Sequence, residues 1–133
     1  MIFSGVLDRY PDLVVVAAHG GGYLPTTIGR SDHAWRVRPE ARGCTHPPST
    51  YLRRLWFDSL THDSAQLAEL VRVAGAERVL LGSDYPFDMG TDDPVAAVRM
   101  AGLPDDVVQA ILVDNAATML PSLSIGFTKK LFT

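Results

Sequence analysis

Leu13-Val14-Val15-Val16-Ala17-Ala18 runs unbroken into His19-Gly20-Gly21-Gly22, and this stretch decides how the rest of the chain is read. A continuous, largely β-branched apolar run predicts a strand buried on both faces, as in parallel sheets covered by helices. Pro11-Asp12 opens the run and the glycines stop it abruptly. Downstream, Tyr23 to Val37 has helical character, with Pro25 and Gly29 weakening its start.

Two more short apolar runs have the same layout. Leu55-Trp56-Phe57 ends at Asp58-Ser59, and Arg78-Val79-Leu80-Leu81-Gly82 ends at Ser83-Asp84. Between them, Leu67, Leu70, Val71 and Ala74 recur at helical spacing, predicting a helix from Ser64 to Ala74 closed by Gly75. Pro39 to Pro48 reads as a loop, with Ser49 as N-cap of a short helix from Thr50 to Arg54. After a loop from Tyr85 to Thr91 come three helical segments, roughly Asp93 to Ala101, Pro104 to Leu112 and Asn115 to Leu120. Pro104 suits a first helical turn, and Asp105 and Asp106 suit the positive end of the dipole. Alternating strands and helices predict an α/β fold: a parallel sheet with right-handed crossovers. Three such strands leave two open sheet edges. There is no internal repeat, and Pro121 to Thr133, without a clear period, stays unassigned.

Composition sets the outer limits. The chain has 133 residues, 47% hydrophobic and 20% charged, which is globular and sufficient for one domain. The net charge of −3, with no basic run beyond Lys129-Lys130, argues against nucleic acid as a partner. The run from Leu13 to Ala18 is far short of the ~20 residues of a membrane span, so no membrane partner is expected either. Nothing at Met1-Ile2-Phe3-Ser4-Gly5 resembles a signal peptide. Cys44 is the only cysteine, which fits a reducing compartment, and a cytoplasmic protein acting on a small molecule is expected.

In parallel α/β folds ligands bind at the carboxyl ends of the strands. Here those ends carry His19, Asp58 and Asp84. A histidine can exchange protons near neutral pH or ligate a metal, and the glycines after it permit a sharp turn and close ligand approach. The alternative for His19 is a simple hydrogen-bonding role in that turn. Asp84 at a buried strand end is costly unless paired, hydrogen-bonded or metal-bound; as a carboxylate it could bind zinc directly or take a proton from a metal-bound water, and the alternative is a cap on the following loop. Asp58 reads as structural support of its strand end. Arg30, on the segment leaving the His19 turn, could pair with a substrate carboxylate, although most helical arginines are only solvated. His62 could line the mouth, His33 and His46 read as solvated, and Trp35 and Trp56 as packing residues.

These residues also resemble a known family. Ser4-Gly5-Val6-Leu7-Asp8-Arg9-Tyr10-Pro11-Asp12-Leu13, His19-Gly20-Gly21-Gly22 with Leu24-Pro25 and Arg30, Pro48-Ser49, Tyr51-Leu52, Phe57-Asp58-Ser59, Gly82-Ser83-Asp84-Tyr85-Pro86-Phe87 and Asn115-Ala116 are similar to the amidohydrolase-2 family. Within it they look most like aminocarboxymuconate-semialdehyde decarboxylases and related nonoxidative aromatic-acid decarboxylases. The resemblance implies a (β/α)8 TIM barrel holding one divalent metal, commonly zinc. It implies Asp84 as a metal ligand, His19 as the acid/base, and Arg30 as a contact to the substrate carboxylate in a neighbouring subunit of a homodimer.

The departures from the family pattern shape the expectation. Family members carry a His-x-His pair after the first strand and a further histidine ligand after the fifth; no His-x-His occurs here. A full barrel needs roughly 250 residues. Residues 1–120 are therefore expected to be about the last three strand–helix units of such a barrel, 121–133 an unassigned tail, the metal site incomplete and the isolated chain inactive. The competing expectation is a non-catalytic α/β module that pairs with another polypeptide.

Overall fold

The computed structural model describes residues 1–120, so the unassigned stretch 121–133 lies outside the described residues. Three short strands, β1 (Val16–Ala17), β2 (Trp56–Asp58) and β3 (Val79–Leu80), form one parallel sheet in the order β1-β2-β3. Val16 pairs with Trp56 and Ala17 with Phe57; Phe57 in turn pairs with Val79 and Asp58 with Leu80. The parallel α/β expectation holds.

A short α1 (Val6–Arg9) precedes the sheet. The crossover from β1 to β2 carries α2 (Tyr23–Val37), and that from β2 to β3 carries α3 (Ser64–Ala74). Both helices match their predicted ranges. For α3 the causes are local: the Asp63 side chain accepts the Gln66 N–H at 2.8 Å, Leu67, Leu70 and Ala74 are buried on one face, and Gly75 leaves the helix at φ 100°. Beyond β3, Asp93 caps α4 (Pro94–Arg99) by accepting the Ala96 N–H.

Three expectations need correction. The apolar run Leu13 to Ala18 pairs only at Val16–Ala17, and it is not buried on both faces: Leu13, Val14 and Val16 are 43%, 59% and 48% exposed. Its one neighbour is β2, so its outer side has no sheet against it among the described residues. The burial expected of a parallel sheet is met at β2 and β3, where Phe57 and Val79 are completely buried. Ser49 is no N-cap. It lies inside a 3₁₀ turn, Pro48–Arg54, and its N–H donates to Asp32. The last two helical segments are joined: α5 (Asp105–Gln109) runs through a π-turn, Ala110–Asp114, into α6 (Asn115–Met119) with right-handed dihedrals across both junctions.

That π-turn has a visible purpose. The Ile111 carbonyl on it accepts the Leu81 N–H at 3.1 Å, and the buried Asn115 amide donates to Ala76 and Val79 carbonyls, both at 2.7 Å. The edge of β3 is thereby covered by a helix, one of the ways natural sheets end. Only one open edge remains among the described residues, at β1, where two were expected.

A polar pin fastens the N-terminal segment to the connection before β2. The Asp8 carboxylate accepts the Tyr51 hydroxyl at 2.7 and 2.9 Å and the Thr45 N–H at 3.0 Å, while the Tyr51 oxygen accepts the His46 N–H. Those donors, the Tyr51 hydroxyl first, hold the Asp8 carboxyl below its ordinary range; burial, then Asp8, pushes the Tyr51 phenol up. Cys44 beside it is buried, and burial raises its thiol.

A carboxylate with a lowered folded-state pKa contributes stability above its unfolded value, about 4, and that contribution is lost as pH falls through the folded value. The raised Tyr51 phenol contributes below about 10 and loses its contribution above. The difference in urea midpoint between wild type and Asp8→Asn should therefore be steady at neutral pH and shrink below about pH 4. A difference that does not change on acidification removes the pin from the stability account. Independently, Asn115→Ala should cost about 1–3 kcal/mol in urea unfolding, because two carbonyls lose their donor.

Candidate functional site

The site grows from the loops after the three strands. After β1 the chain turns through His19 at φ 56°, followed by Gly20, Gly21 and Gly22, all at positive φ. A non-glycine residue in that region costs roughly 1–2 kcal/mol, and His62 and Asp84 share it, at φ 55° and 59°. Three such residues at the carboxyl ends of one sheet mark a place where neighbours over-determine the backbone.

Asp58, at the end of β2, is the chief of those neighbours. Its Oδ2 accepts the His19 N–H at 2.9 Å, and its Oδ1 accepts the Gly20 N–H at 2.8 Å and the Leu60 N–H at 3.1 Å. Close packing completes the cradle. A Cβ on Gly21 would lie 2.7 Å from the Phe57 ring, and one on Gly82 would lie 2.6 Å from the Asp58 Cβ. The Ser59 hydroxyl accepts the Gly82 N–H. On the far side, the loop after β3 is folded by Phe87 N–H to the Asp84 carbonyl and Thr91 N–H to the Ser83 carbonyl.

This framework brings the His19 Nε2 to 3.3 Å from the Asp84 Oδ1. Residues separated by two crossovers thus meet at the mouth of the sheet. The imidazole is 60% exposed and the carboxylate 18%, so the pair faces outward from a partly shielded base. When the imidazole is protonated the contact is an ion pair, and the carboxylate then orients the ring. Arg30 is not brought to them. It sits exposed on α2, seven residues or about 10 Å of helical rise from Tyr23, without a hydrogen bond or ion pair among the described residues. His33 and His46 are exposed, as the sequence suggests.

A metal needs more than this pair. Structural and catalytic zinc sites use three or four protein ligands, and no group of three or more His, Cys, Asp or Glu side chains could hold an ion among the described residues. Asp58 is close by, but both its oxygens are occupied by backbone N–H groups. The donors present do not by themselves fit a zinc ion. Enclosure is also slight. A cavity of about 30 Å³ lies beside His19 and Thr61, and one of about 240 Å³ lies between Thr61, His62 and Met100; small-molecule pockets usually run from about 300 Å³ upward.

The sequence reading recognised Asp58 as support for a strand end but missed that its support is given to His19. It also missed the left-handed His62 and the Ser59–Gly82 contact. The signal for the last was available: a glycine two residues before Asp84 marks a close approach.

The family model described as Amidohydrolase matches residues 1–121. A 2-amino-3-carboxymuconate-6-semialdehyde decarboxylase from Dictyostelium discoideum is 47% identical over 92 residues, covering 68% of this chain and 26% of that protein. The 5-carboxyvanillate decarboxylase from Sphingomonas paucimobilis superposes with a TM-score of 0.79 at 31% identity, over 91% of this chain and 37% of that one. A dihydroxybenzoic acid decarboxylase from a Polaromonas species, solved with bound manganese, gives a TM-score of 0.79 at 22% identity over 99% of this chain and 40% of that one. The chain thus spans about a quarter of the curated relative's length.

Asp58→Ala would leave the His19, Gly20 and Leu60 N–H groups without their acceptor. We expect it to lower stability by about 2 kcal/mol or more and to speed hydrogen exchange at the His19 and Gly20 amides. A variant with wild-type exchange at those two amides would show that Asp58 does not hold the turn.

Proposed function

The chain belongs to the amidohydrolase family, its strand–helix units forming part of a (β/α)8 barrel, and on that premise we propose that it carries the acid/base face of a decarboxylase site for a small carboxylated substrate. The observation that carries the reading is the His19–Asp84 contact at 3.3 Å, formed by two left-handed residues at strand ends.

In the proposed reaction the bond between a substrate carbon and its carboxylate breaks, CO2 leaves, and the electron pair stays on the carbon. That carbon takes a proton from the protonated His19 imidazole at Nδ1, the ring nitrogen that Asp84 does not engage. Asp84 holds the imidazole in line for the transfer, and Asp58 holds the backbone from which the imidazole projects. General acid catalysis of this kind is worth about 10²–10⁴-fold. Aromatic or unsaturated carboxylates are the proposed substrates, in keeping with the names of the relatives.

Asp84 is the residue through which this chain would contribute to a divalent metal, zinc on the resemblance and manganese on the Polaromonas example. Further ligands have to come from outside the described residues, and for that reason the isolated chain is proposed to be inactive. Arg30 is proposed to act on a substrate carboxylate across a homodimer, a role its exposed position on α2 leaves open sterically. The boundary of the barrel portion at about residue 120 is likewise a proposal, supported by the end of α6 at Met119.

A graft tests the reading. Residues 1–120, placed in the D. discoideum decarboxylase instead of its corresponding segment, should give a chimera that releases CO2 from that enzyme's substrate. His19→Asn in the chimera should lower kcat by about 10²–10⁴-fold with metal retained, and Asp84→Ala should lose the metal. An active chimera indifferent to His19→Asn would sink the acid/base assignment.

A further inference from the structure

The cavity of about 240 Å³ beside His62 is walled on both sides by this chain, with α3 on one side and α4 on the other. Leu67 of α3 and Ala97 and Met100 of α4 make its lining apolar in one part. The rest is polar and comes from the two strand-end loops: Ser59, His62 and Ser64 after β2, and Thr91 after β3. Its size falls below the range usual for drug-sized ligands, which restricts an occupant to a small molecule.

The polar lining is short of acceptors. Ser59 is 7% exposed; its oxygen accepts the Gly82 N–H at 3.2 Å, and its own proton has no acceptor among the described residues. A buried hydroxyl donor left in that state is disfavoured. The first turn of α3, a helix of 11 residues, adds the Ser64 and Ala65 N–H groups, which have no intrahelical partner because the Asp63 cap serves Gln66. His62 forms no hydrogen bond or ion pair among the described residues, and its ring offers at least one N–H in either protonation state. Its left-handed backbone, φ 55°, is bracketed by two bonds: Thr61 N–H to the Ser59 carbonyl at 3.0 Å and the Thr61 hydroxyl to the Asp63 carbonyl at 2.9 Å.

We propose that this cavity binds a small organic monocarboxylate. The carboxylate accepts from Ser59, His62 and the first turn of α3, and the apolar body lies against Leu67, Ala97 and Met100. Asp63, the one carboxylate in the lining, disfavours a second negative charge, so a dianion such as phosphate is the poorer ligand. Neither His19 nor Asp84 lines the cavity, and the binding does not depend on the proposed function.

The test is a titration of the full chain with benzoate, followed by proton resonances of the His62 ring and the Met100 methyl group. Both should shift saturably while the His19 ring stays unmoved. Acetate, which lacks the apolar body, and inorganic phosphate should bind more weakly than benzoate. His62→Gly removes the ring and suits the left-handed backbone. It should weaken benzoate binding about tenfold or more, read at Met100, without lowering the urea midpoint. Ala97→Phe, on the exposed side of α4, should fill the cavity and abolish binding without touching either loop. No saturable shift, or shifts centred on His19, overturns the proposal, and so does binding that survives both variants. Phosphate binding more tightly than benzoate overturns it as well.

Discussion

The Asp58 carboxylate is the constraint on which the candidate site depends. It is the last residue of the central strand, and its two oxygens accept three backbone N–H groups from two different loops. The His19 turn adopts a backbone conformation that an isolated histidine would avoid. Asp58 makes that conformation the one in which the N–H groups are satisfied, and Phe57 packs so tightly under Gly21 that no side chain fits there. Without this cradle the imidazole would have no fixed origin from which to reach Asp84. The candidate site at the mouth is thus supported by the central strand, which itself contributes no free polar group to it.

The two ends of the sheet are handled differently. At β3 a π-turn and an asparagine side chain terminate the hydrogen-bond ladder, so the helix after the last strand both packs on the sheet and caps it. At β1 nothing comparable exists among the described residues. Parallel sheets are ordinarily buried on both faces and flanked by neighbours, and the exposed valines of β1 are the departure from that rule.

Much of the architecture was legible from sequence because the strong signals are local. Leu67, Leu70 and Ala74 with Gly75 fix α3, and the polar residue after each apolar run locates the mouth of the sheet. What escaped depends on distant partners. The length of β1 is set by what β2 can pair with, since the 3₁₀ turn occupies the chain up to Arg54. Ser49 looked like a cap until Asp32, on α2, took its N–H. The π-turn leaves no mark in the helical periodicity from Asp105 to Met119. Of the three strand-end residues, His19 and Asp84 were singled out and do meet; Arg30 was singled out with them and does not join them within one chain.

Cys44 acquires a use from its surroundings. It lies between the Trp35 indole, which donates to its carbonyl, and the loop that Asp8 and Tyr51 hold down. Its thiol is buried, and burial keeps it protonated to higher pH. A thiol in that state is shut off from alkylating reagents except during moments when the loop lifts. Because the chain has no other cysteine, its rate of alkylation is a clock for a single local opening, read without any engineered label.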